Sequence, residues 1–367
     1  MTEWKEYKLG ELTIDGKGSY GIAAPAVDYD SNKYTYLRIT DINDDGTLNK
    51  SGLKSVDDKN AHKYLLQQND IVFARTGASV GRSYFYDERD GELVYAGFLI
   101  KYSIDPTKVN PKILKFYTHS QAYYDWIQTV DNGATRGNIN AQTYASMPII
   151  LPERHEQDRI ASILSSIDDK IDLLHRENAT LEQMAETLFK QWFVVEAKEK
   201  WEEGKLGDLI EVKYGKDHKK LLDGKIPVIG SGGIMRYADT ALYDKESVLI
   251  PRKGSLNNVM YMNEPFWTVD TMFYTEMRRH NIAKFVFHFM KSQDLANMNV
   301  GSAVPSMTTE VLNNIPIDIP PQEVFDRFEN AVASLYNKKE QNNKQIQTLI
   351  QMRDGLLPKL MGGEIKI

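Results

Sequence analysis

Apolar residues recur at alternating steps of three and four along two stretches of the chain, each following a region of mixed composition. This spacing predicts two long helices with one apolar seam each, at residues 153–200 and 321–367. The predicted seam consists of Ile160, Ile167, Ile171, Leu174, Leu181 and Leu188 in the first helix, and Phe328, Leu335, Ile346, Leu349 and Leu356 in the second. Helices of about 40 residues would be rods of ~60 Å. Two such helices in one chain pair most simply as an antiparallel coiled coil, and the alternative is two ordinary core helices.

Polar residues interrupt both seams, at Asn178 in the first and at Lys339 and Asn342 in the second. A buried asparagine can fix the register of a helix pair at a cost in stability. The aromatic residues Phe189, Trp192 and Phe193 end the first seam, and we expect them to be exposed enough to limit solubility.

Short β-rich runs punctuated by Gly, Asp and Asn fill the two remaining regions, residues 1–152 and 201–320. Each region also contains one segment of helical pattern, at 111–130 and at 281–298. The pattern predicts an α+β fold for both globular regions.

The chain repeats itself. WKEYKLGEL at 4–12 returns as WEEGKLGDL at 201–209, MPIILP at 147–152 as IPIDIP at 315–320, and LEQMAETL at 181–188 as LIQMRDGL at 349–356. The offset is 197 at the start (201 − 4) and 168 at the end (349 − 181), so the first globular region is longer by 29 residues (197 − 168). The sequence therefore predicts two copies of one plan, each a globular region followed by a long helix.

Composition narrows the class of protein. The 367 residues contain no cysteine, which excludes disulfides and cysteine-ligated zinc, and no apolar run approaches the ~20 residues of a membrane span. We expect a cytoplasmic protein without a signal peptide. The net charge is −6, and residues 153–200 account for −4 of it, with 7 basic and 11 acidic groups. A nucleic-acid reader with this balance would need partners to neutralise phosphates.

Sequence patterns of catalytic centres are missing. Each Gly-Lys pair lacks the Ser or Thr that a phosphate-binding loop requires, there is no HExxH, and Asn263-Glu264-Pro265-Phe266 lacks the second proline of an amino-methyltransferase motif. We therefore predict neither catalytic nor metal-binding residues in this chain.

Four loops, two in each repeat, suit a polyanion instead. They combine Arg or Lys with small residues, at 75–82, around Arg136, at 251–258 and at 300–307. Arg and Lys suit guanine edges, Asn suits adenine edges, and hydroxyls and backbone amides suit phosphates. Any one such loop could be a plain hairpin turn, but the matching places in the two repeats favour DNA.

The candidate DNA-binding residues fall into two sets, one in each globular region. The first set is Arg38, Thr40, Arg75, Thr76, Gly77, Ser79, Arg82, Gly133, Thr135, Arg136, Asn138 and Asn140. The second set is Ser231, Gly232, Arg252, Lys253, Gly254, Ser255, Asn257, Gly301, Ser302 and Ser306.

In the order and duplication of these stretches, the chain resembles the specificity subunits of Type I restriction–modification enzymes over essentially its whole length. NDIVFARTGASVGRS, GATRGNINAQTYASMPIILPERHEQDRIA, SVLIPRKGSLNNV and MRDGLLPKL carry the resemblance. The second helix departs from the pattern, because PPQEVFDRFENAV lacks the EQxRIA run found at Glu156–Ala161.

The resemblance implies two target-recognition domains, at 1–152 and 201–320, separated by a central spacer helix at 153–200 and followed by a C-terminal spacer helix and tail at 321–367. Each domain would read one half of a bipartite, asymmetric site in double-stranded DNA. The helices would space the domains and dock two methyltransferase subunits that carry S-adenosylmethionine, and two motor–nuclease subunits using ATP and Mg²⁺ would complete the complex. The chain itself would hold no cofactor.

The spacing of major grooves on one DNA face, ~34–36 Å, predicts a non-specific gap of roughly 5–8 bp between the half-sites. Two other functions stay open at this point. One is the specificity component of a methylation-only or phage-defence assembly, and the other is a coiled-coil scaffold whose globular regions bind protein or carbohydrate.

Overall fold

The computed structural model describes residues 4–131, 138–197, 201–298 and 306–365. The chain forms two compact units, each assembled from a globular region and from segments of both long helices. Unit 1 comprises Met1–Leu174 and Gln345–Ile367, and unit 2 comprises His175–Lys344.

In unit 1, the described residues form ten strands and three α-helices, besides short 3₁₀ turns, before the first long helix. They are β1 (Lys5–Lys8), β2 (Ser19–Tyr20), β3 (Ala26–Asp28), β4 (Thr35–Leu37), β5 (Lys54–Val56), β6 (Asp70–Ala74), β7 (Ser83–Phe85), β8 (Leu93–Tyr95), β9 (Leu99–Ser103), α1 (Pro111–Tyr117), α2 (Gln121–Asp131), α3 (Ala141–Ala145) and β10 (Pro148–Leu151). The long helix α4 follows (Arg154–Lys190) and continues as a π-helical turn at Gln191–Val195.

In unit 2, the described residues form nine strands and three short helices before the second long helix. They are β11 (Glu202–Lys205), α5 (Leu206–Leu209), β12 (Ile210–Tyr214), β13 (Asp223–Gly230), β14 (Gly233–Ala238), β15 (Ser247–Pro251), β16 (Met260–Met262), β17 (Trp267–Thr268), β18 (Met272–Met277), α6 (Ala283–Ser292), α7 (Thr309–Asn313) and β19 (Pro316–Ile319). The long helix α8 spans Gln322–Met361.

The same four-stranded sheet forms the centre of both globular regions. Its strand order is β2-β9-β6-β7 in unit 1 and β12-β18-β15-β16 in unit 2, and all neighbours are antiparallel. The central strands β6 and β15 are buried along their whole length, including the polar residues Asp70 and Ser247 at their first positions. The α+β expectation is confirmed, and the repeat seen in the sequence is a repeat of topology.

The best-preserved sequence repeats build a second shared feature, a two-stranded closure of each globular region. WKEYKLGEL and MPIILP supply the antiparallel pair β1-β10, and WEEGKLGDL and IPIDIP supply β11-β19. Equivalent backbone bonds secure the following turns, from Leu9 N–H to Met147 O at 3.0 Å and from Leu206 N–H to Ile315 O at 2.9 Å. These motifs recur because both units must bring the ends of the globular region together before the helix begins.

The units differ in their outer sheets, where the sequences also diverge. Unit 1 has a four-stranded sheet of order β3-β5-β4-β8, in which β4 and β8 are parallel. Unit 2 has instead a three-stranded sheet of order β14-β13-β17, built on the hairpin β13-β14. The different outer sheets give each globular region its own surface.

Within each unit the two long helices run antiparallel. In unit 1, Asp168 of α4 lies 3.3 Å from the Arg353 guanidinium of α8, while Ile160 and Leu164 share a core with Leu360. In unit 2, α4 packs on the N-terminal half of α8, and Ala185 and Phe189 share a core with Phe328 and Val332. The predicted seam is therefore present in both units as an apolar layer that continues into the globular core.

Two expectations about helices were wrong. The segment 111–130 is not one helix, because Thr118 ends α1 and the Ser120 hydroxyl accepts a hydrogen bond from Tyr123 N–H at the start of α2. The aromatic end of the first seam is not exposed either. Phe189 is buried, and Trp192 and Phe193 pack beside it against α6 and α8. The spacing of apolar residues along the chain could not show that α6 and α8 cover this end of the seam.

Candidate nucleic-acid interface

In unit 1 the candidate site lies where strand β6 ends. Arg75 leaves the strand, its backbone bonded to Phe98 O (3.1 Å) and to Ile139 N–H (2.9 Å), so the loops at 75–82 and 138–141 lie side by side. Gly77 adopts a φ of +73°, a conformation that a side chain would strain. The loop is thereby fixed as a tight turn with its backbone exposed.

The Arg75 guanidinium lies over the ring of Tyr20, 4.9 Å from its centre. Its Nε donates to the Asn138 side-chain oxygen at 3.3 Å, and the Tyr20 hydroxyl accepts from Ala141 N–H at 3.1 Å. Tyr20 itself is 42% exposed. Stacking and hydrogen bonding together hold a half-buried cation beside an exposed aromatic ring.

Unit 2 carries the same arrangement after strand β15. The Arg252 guanidinium lies 5.4 Å from the ring centre of Tyr214, which is 52% exposed, and donates to Asp270 O at 3.1 Å. Gly254 adopts a φ of +86° at the position of Gly77. Lys253 forms an isolated antiparallel β-bridge with Ser306, as Thr76 does with Asn138 in unit 1. In both units this backbone pairing joins two of the predicted loops.

The backbone hydrogen bonds around the two arginines match one for one. Arg252 N–H bonds to Thr271 O (2.8 Å) where Arg75 N–H bonds to Phe98 O, and Arg252 O accepts from Met307 N–H (2.9 Å) where Arg75 O accepts from Ile139 N–H. The two units therefore share the backbone hydrogen bonds around this arginine, although their outer sheets differ. In both units the shared backbone presents an arginine–tyrosine pair.

The glycine-rich segment at 230–234 forms the turn of hairpin β13-β14 in unit 2. Ser231 O accepts from the Asn258 amide at 2.7 Å, and the Ser231 hydroxyl lies 3.0 Å from where a Gly254 Cβ would be. The predicted residues Ser231, Gly232 and Gly254 are therefore brought together with Arg252.

Several other candidate residues already have partners inside unit 1. Arg38 forms a two-pronged pair with buried Asp41, at 2.8 and 2.6 Å, and lies next to exposed Thr40. Arg82 bonds to Asp44 at 2.6 Å, and Ser79 is buried. These contacts stabilise the loops, and a role of these side chains toward DNA stays a prediction.

Two candidate asparagines accept hydrogen bonds from backbone N–H groups, and two further candidate residues are exposed. Asn140 caps α3 by accepting from Thr143 N–H at 2.9 Å, and Asn257 accepts from Ala296 N–H at 3.0 Å. Lys253 and Ser255 are exposed beside it. The predicted residues Gly133, Thr135, Arg136, Gly301 and Ser302 lie outside the described residues.

Sequence analysis missed Tyr20 and Tyr214. A signal was present, because each is followed by glycine, as Tyr20-Gly21 and Tyr214-Gly215. A Cβ on Gly21 would lie 2.2 Å from Ala96 O, and one on Gly215 would lie 2.0 Å from Val269 O. Both glycines are required because the neighbouring backbone, at Ala96 in unit 1 and at Val269 in unit 2, leaves no room for a Cβ. The repeated Tyr-Gly pair was therefore a signal for these two positions.

The described residues contain no cluster of three His, Asp or Glu side chains able to hold a metal ion. Within the same residues, no helix is both long and apolar enough to cross a membrane. The paired loops offer groups that would suit recognition of a nucleic acid, namely a guanidinium for guanine or phosphate and an exposed ring for stacking.

Comparison with known proteins places the chain in a family. The family model for the Type I restriction modification DNA specificity domain matches residues 1–183 and again 198–350. The specificity subunit of the Type I restriction enzyme MjaIX from Methanocaldococcus jannaschii is 26% identical over 289 residues, covering 66% of this chain and 66% of that protein. That of HindI from Haemophilus influenzae is 21% identical over the full length of both chains.

The S subunit of a Type I restriction–modification system from M. genitalium has a similar fold. The TM-score is 0.54 at 19% sequence identity, and the match covers 98% of this chain and 96% of that one. The two matches to the family model together span most of this chain. The chain therefore belongs to the Type I restriction–modification DNA specificity family and carries two tandem target-recognition domains.

Proposed function

We propose that this chain selects the DNA site of a Type I restriction–modification complex, and that each unit reads one half of a bipartite, asymmetric sequence. The arginine–tyrosine pair of each unit, Arg75 with Tyr20 and Arg252 with Tyr214, would contact the bases or backbone of its half-site. Different outer sheets around a shared frame support two different half-sites.

The observation that carries the proposal is the independent presence of this pair in both units. An arginine needed only for folding would not require an exposed ring beside it in both copies. Gly77 and Gly254, each two residues after its arginine, are exposed and adopt positive φ values. As glycines they have no side chain over the backbone of the turn, which suits an approach by phosphate oxygens. An arginine held on an aromatic ring beside an exposed glycine turn is the kind of site that reads a polyanion.

Catalysis would belong to the partners. Two methyltransferase subunits would bind S-adenosylmethionine and methylate adenines, and two motor–nuclease subunits would use ATP and Mg²⁺, while this chain would be non-catalytic. The net charge of −6 supports a division of labour in which partner subunits neutralise most of the phosphates.

Methylation sequencing tests the proposal. DNA from cells expressing this chain with the methyltransferase subunit of its system should show a split, asymmetric adenine-methylated motif, with a gap of roughly 5–8 bp. The motif should vanish in cells that express the methyltransferase subunit alone.

A single continuous motif, or a motif that persists without this chain, would contradict the proposal. Absence of any motif, with the two proteins soluble and associated, would favour a scaffold whose output is not methylation.

A further inference from the structure

Phe98 of unit 1 is an exposed aromatic residue that lies opposite Arg75 in the central sheet. The register of β6 and β9 ends with Ala74 opposite Leu99, and the hydrogen bond from Arg75 N–H to Phe98 O (3.1 Å) continues the pairing by one residue. Residues that lie opposite each other in an antiparallel pair point to the same side of the sheet, with Cβ atoms about 5 Å apart. The side chains of Arg75 and Phe98 therefore leave the end of the sheet on one side.

Backbone hydrogen bonds hold the turn that carries Phe98. Leu99 N–H donates to Ala96 O at 2.8 Å, and Leu99 O accepts from Gly21 N–H at 3.2 Å. Leu99 is fully buried, whereas the Phe98 side chain is 60% exposed. An apolar side chain stabilises the fold through the area that it buries, so this ring contributes little to the core for its size. The turn instead presents the ring to solvent beside Arg75.

Thr271 occupies the position of Phe98 in unit 2. The register of β15 and β18 ends with Pro251 opposite Met272, and Arg252 N–H donates to Thr271 O at 2.8 Å. The two candidate sites thus keep the arginine, the tyrosine and the positive-φ glycine but differ in the residue opposite the arginine. A threonine hydroxyl donates and accepts hydrogen bonds, whereas a phenyl ring offers apolar contact. A difference at this place gives each site its own chemistry.

The edges of the DNA bases determine what a phenyl ring can recognise. The major groove presents hydrogen-bond donors, acceptors and the C5-methyl group of thymine, whereas the minor-groove pattern consists of acceptors and the guanine amino group. Phe98 has no polar side-chain atom, and phenylalanine is among the residues that make apolar contact with the thymine methyl. Arg75 suits the O6 and N7 atoms of guanine in the same groove. The two side chains together therefore suit a guanine and a neighbouring thymine.

We propose that Phe98 is a specificity-determining residue of unit 1 and that it recognises a C5-methyl group on a pyrimidine of its half-site. In unmodified DNA this pyrimidine is thymine. The inference rests on the proposed function and adds to it the residue and the chemical group that this residue reads. Because unit 2 has Thr271 at this position, recognition by a phenyl ring is confined to the half-site of unit 1.

Deoxyuridine, which is thymidine without the C5-methyl group, tests this inference. The full chain, assembled with the methyltransferase subunit of its system, is titrated by fluorescence anisotropy against duplexes that carry both half-sites, with one thymidine at a time replaced by deoxyuridine. One replacement, in the half-site that Arg75→Ala relaxes, should weaken binding about 4-fold, as expected for burial of one apolar carbon group. Phe98→Ala should weaken binding to the unmodified duplex at least as much, and deoxyuridine at that position should then cause no further loss.

Methylated cytosine provides the reverse test. Replacement of the same T·A pair by C·G should weaken binding by the parent chain, and 5-methylcytosine should recover part of the loss because it restores the methyl group. The recovery should be absent in Phe98→Ala. Phe98→Leu keeps an apolar side chain at this position and should retain part of the preference for the methylated base.

Ile14 is a matched control in the same unit. It is apolar and 67% exposed, and its N–H donates to Ser103 O (2.9 Å) at the opposite end of β9 from Phe98. Ile14→Ala should respond to deoxyuridine as the parent chain does. Deoxyuridine in the half-site of unit 2 should weaken binding of the parent chain and of Phe98→Ala by equal factors.

Equal losses from deoxyuridine in the parent chain and in Phe98→Ala at every thymidine of both half-sites would overturn the inference. Loss of the response in Ile14→Ala would also count against it, because an exposed residue far from Arg75 would then matter as much. A complex that binds its split site without this coupling leaves the proposed function intact. A complex that binds no split site contradicts the proposed function and the inference with it.

Discussion

At the scale of single residues, the arginine–tyrosine pair explains why the candidate loops differ from ordinary turns. A guanidinium stacked on a ring keeps its outer edge free while its position is fixed, so less side-chain freedom is lost when it binds a base. Among the described residues, the Tyr214 hydroxyl makes no backbone hydrogen bond comparable to that of the Tyr20 hydroxyl, which makes Tyr214 the cleaner position for substitution.

We predict that Tyr214→Leu weakens DNA binding by the assembled complex about 2- to 5-fold, because a cation–π contact near the surface contributes about 0.5–1 kcal/mol. Tyr214→Phe keeps the aromatic ring, so this variant should bind DNA with the affinity of the parent chain. Fluorescence anisotropy on an oligonucleotide with both half-sites measures this. If leucine and phenylalanine behave alike, the ring does not position Arg252.

His288 is a second residue whose environment has a measurable consequence. It is 1% exposed, its Nε2 contacts the Tyr336 hydroxyl at 2.9 Å, and its Nδ1 has no partner among the described residues. Burial lowers the pKa of His288 to about 4, against opposing effects of Glu182 and Glu186 and alongside Lys291 and Lys339. The ring is therefore neutral in the folded chain.

We predict a loss of stability in acid that originates at this ring. The unfolded chain takes up the proton near pH 6.5 and the folded chain only near pH 4, so the contribution is complete above 6.5 and lost as the pH falls to 4. The contribution is at most about 3.4 kcal/mol, because folding lowers the pKa of His288 by about 2.5 (6.5 − 4).

Denaturant unfolding of the parent chain and of His288→Phe between pH 4 and pH 7.5 measures this contribution. The phenylalanine variant should be less stable at neutral pH, because it loses the bond to Tyr336, but should fall less steeply in acid. Parallel curves for the two chains would contradict the assignment and would leave His119, whose pKa burial also lowers to about 4, as the source.

At the scale of elements, the helix pair of unit 2 contains a buried polar layer within its apolar seam. The Asn342 amide donates to the Asn178 oxygen at 3.0 Å and to Glu177 at 2.9 Å, while the Asn178 amide donates to Asn343 at 2.7 Å. Both Asn178 and Asn342 are buried. Only one antiparallel register satisfies these bonds, so the layer specifies alignment as the sequence suggested.

We predict that Asn342→Leu lowers the free energy of unfolding by about 1–3 kcal/mol, since it leaves the buried Asn178 oxygen without its donor. Asn178→Leu combined with Asn342→Leu should recover most of the loss, because both polar groups are then removed from the seam. A double-mutant cycle in guanidinium measures the coupling. Additive losses would show that the asparagines do not act as a pair.

Next to this polar layer, the carboxylate of Glu182 is bound by two lysines. Burial opposes ionisation of Glu182, but hydrogen bonds from Lys291 and Lys339 outweigh it and lower the pKa of this carboxyl to about 2. Glu182 thus ties α4 both to α8 and to the globular region of unit 2.

At the scale of the whole molecule, duplication is the organising feature. Two units share a central sheet, a two-stranded closure and a helix pair, yet their outer sheets differ. A protein that uses one frame twice with different surfaces is suited to reading two unlike sequences.

We predict that the two half-sites can be altered independently. Arg75→Ala should relax the methylated motif only in the half read by unit 1, and Arg252→Ala only in the other half, since a specific arginine contact discriminates by about 1–3 kcal/mol. Methylation sequencing of both variants provides the test, and each unchanged half-site serves as the control. Equal relaxation of both halves by either change would contradict independent reading.

The sequence by itself determined the two long helices, the α+β character of the globular regions and the duplication, because seam period and motif order are local properties of the chain. It also indicated Arg75 and Arg252 as candidates, since each stands two residues before a glycine in a repeated loop. The break between α1 and α2 escaped it, because the segment's apolar period continues across Ser120.

Only the tertiary structure decided which residues accompany those arginines. Tyr20 lies 55 residues before Arg75 (75 − 20) and Tyr214 lies 38 before Arg252 (252 − 214), and both pairs form because their strands join one sheet. Contacts between distant segments depend on strand order and helix pairing, which hydrophobic period alone does not specify.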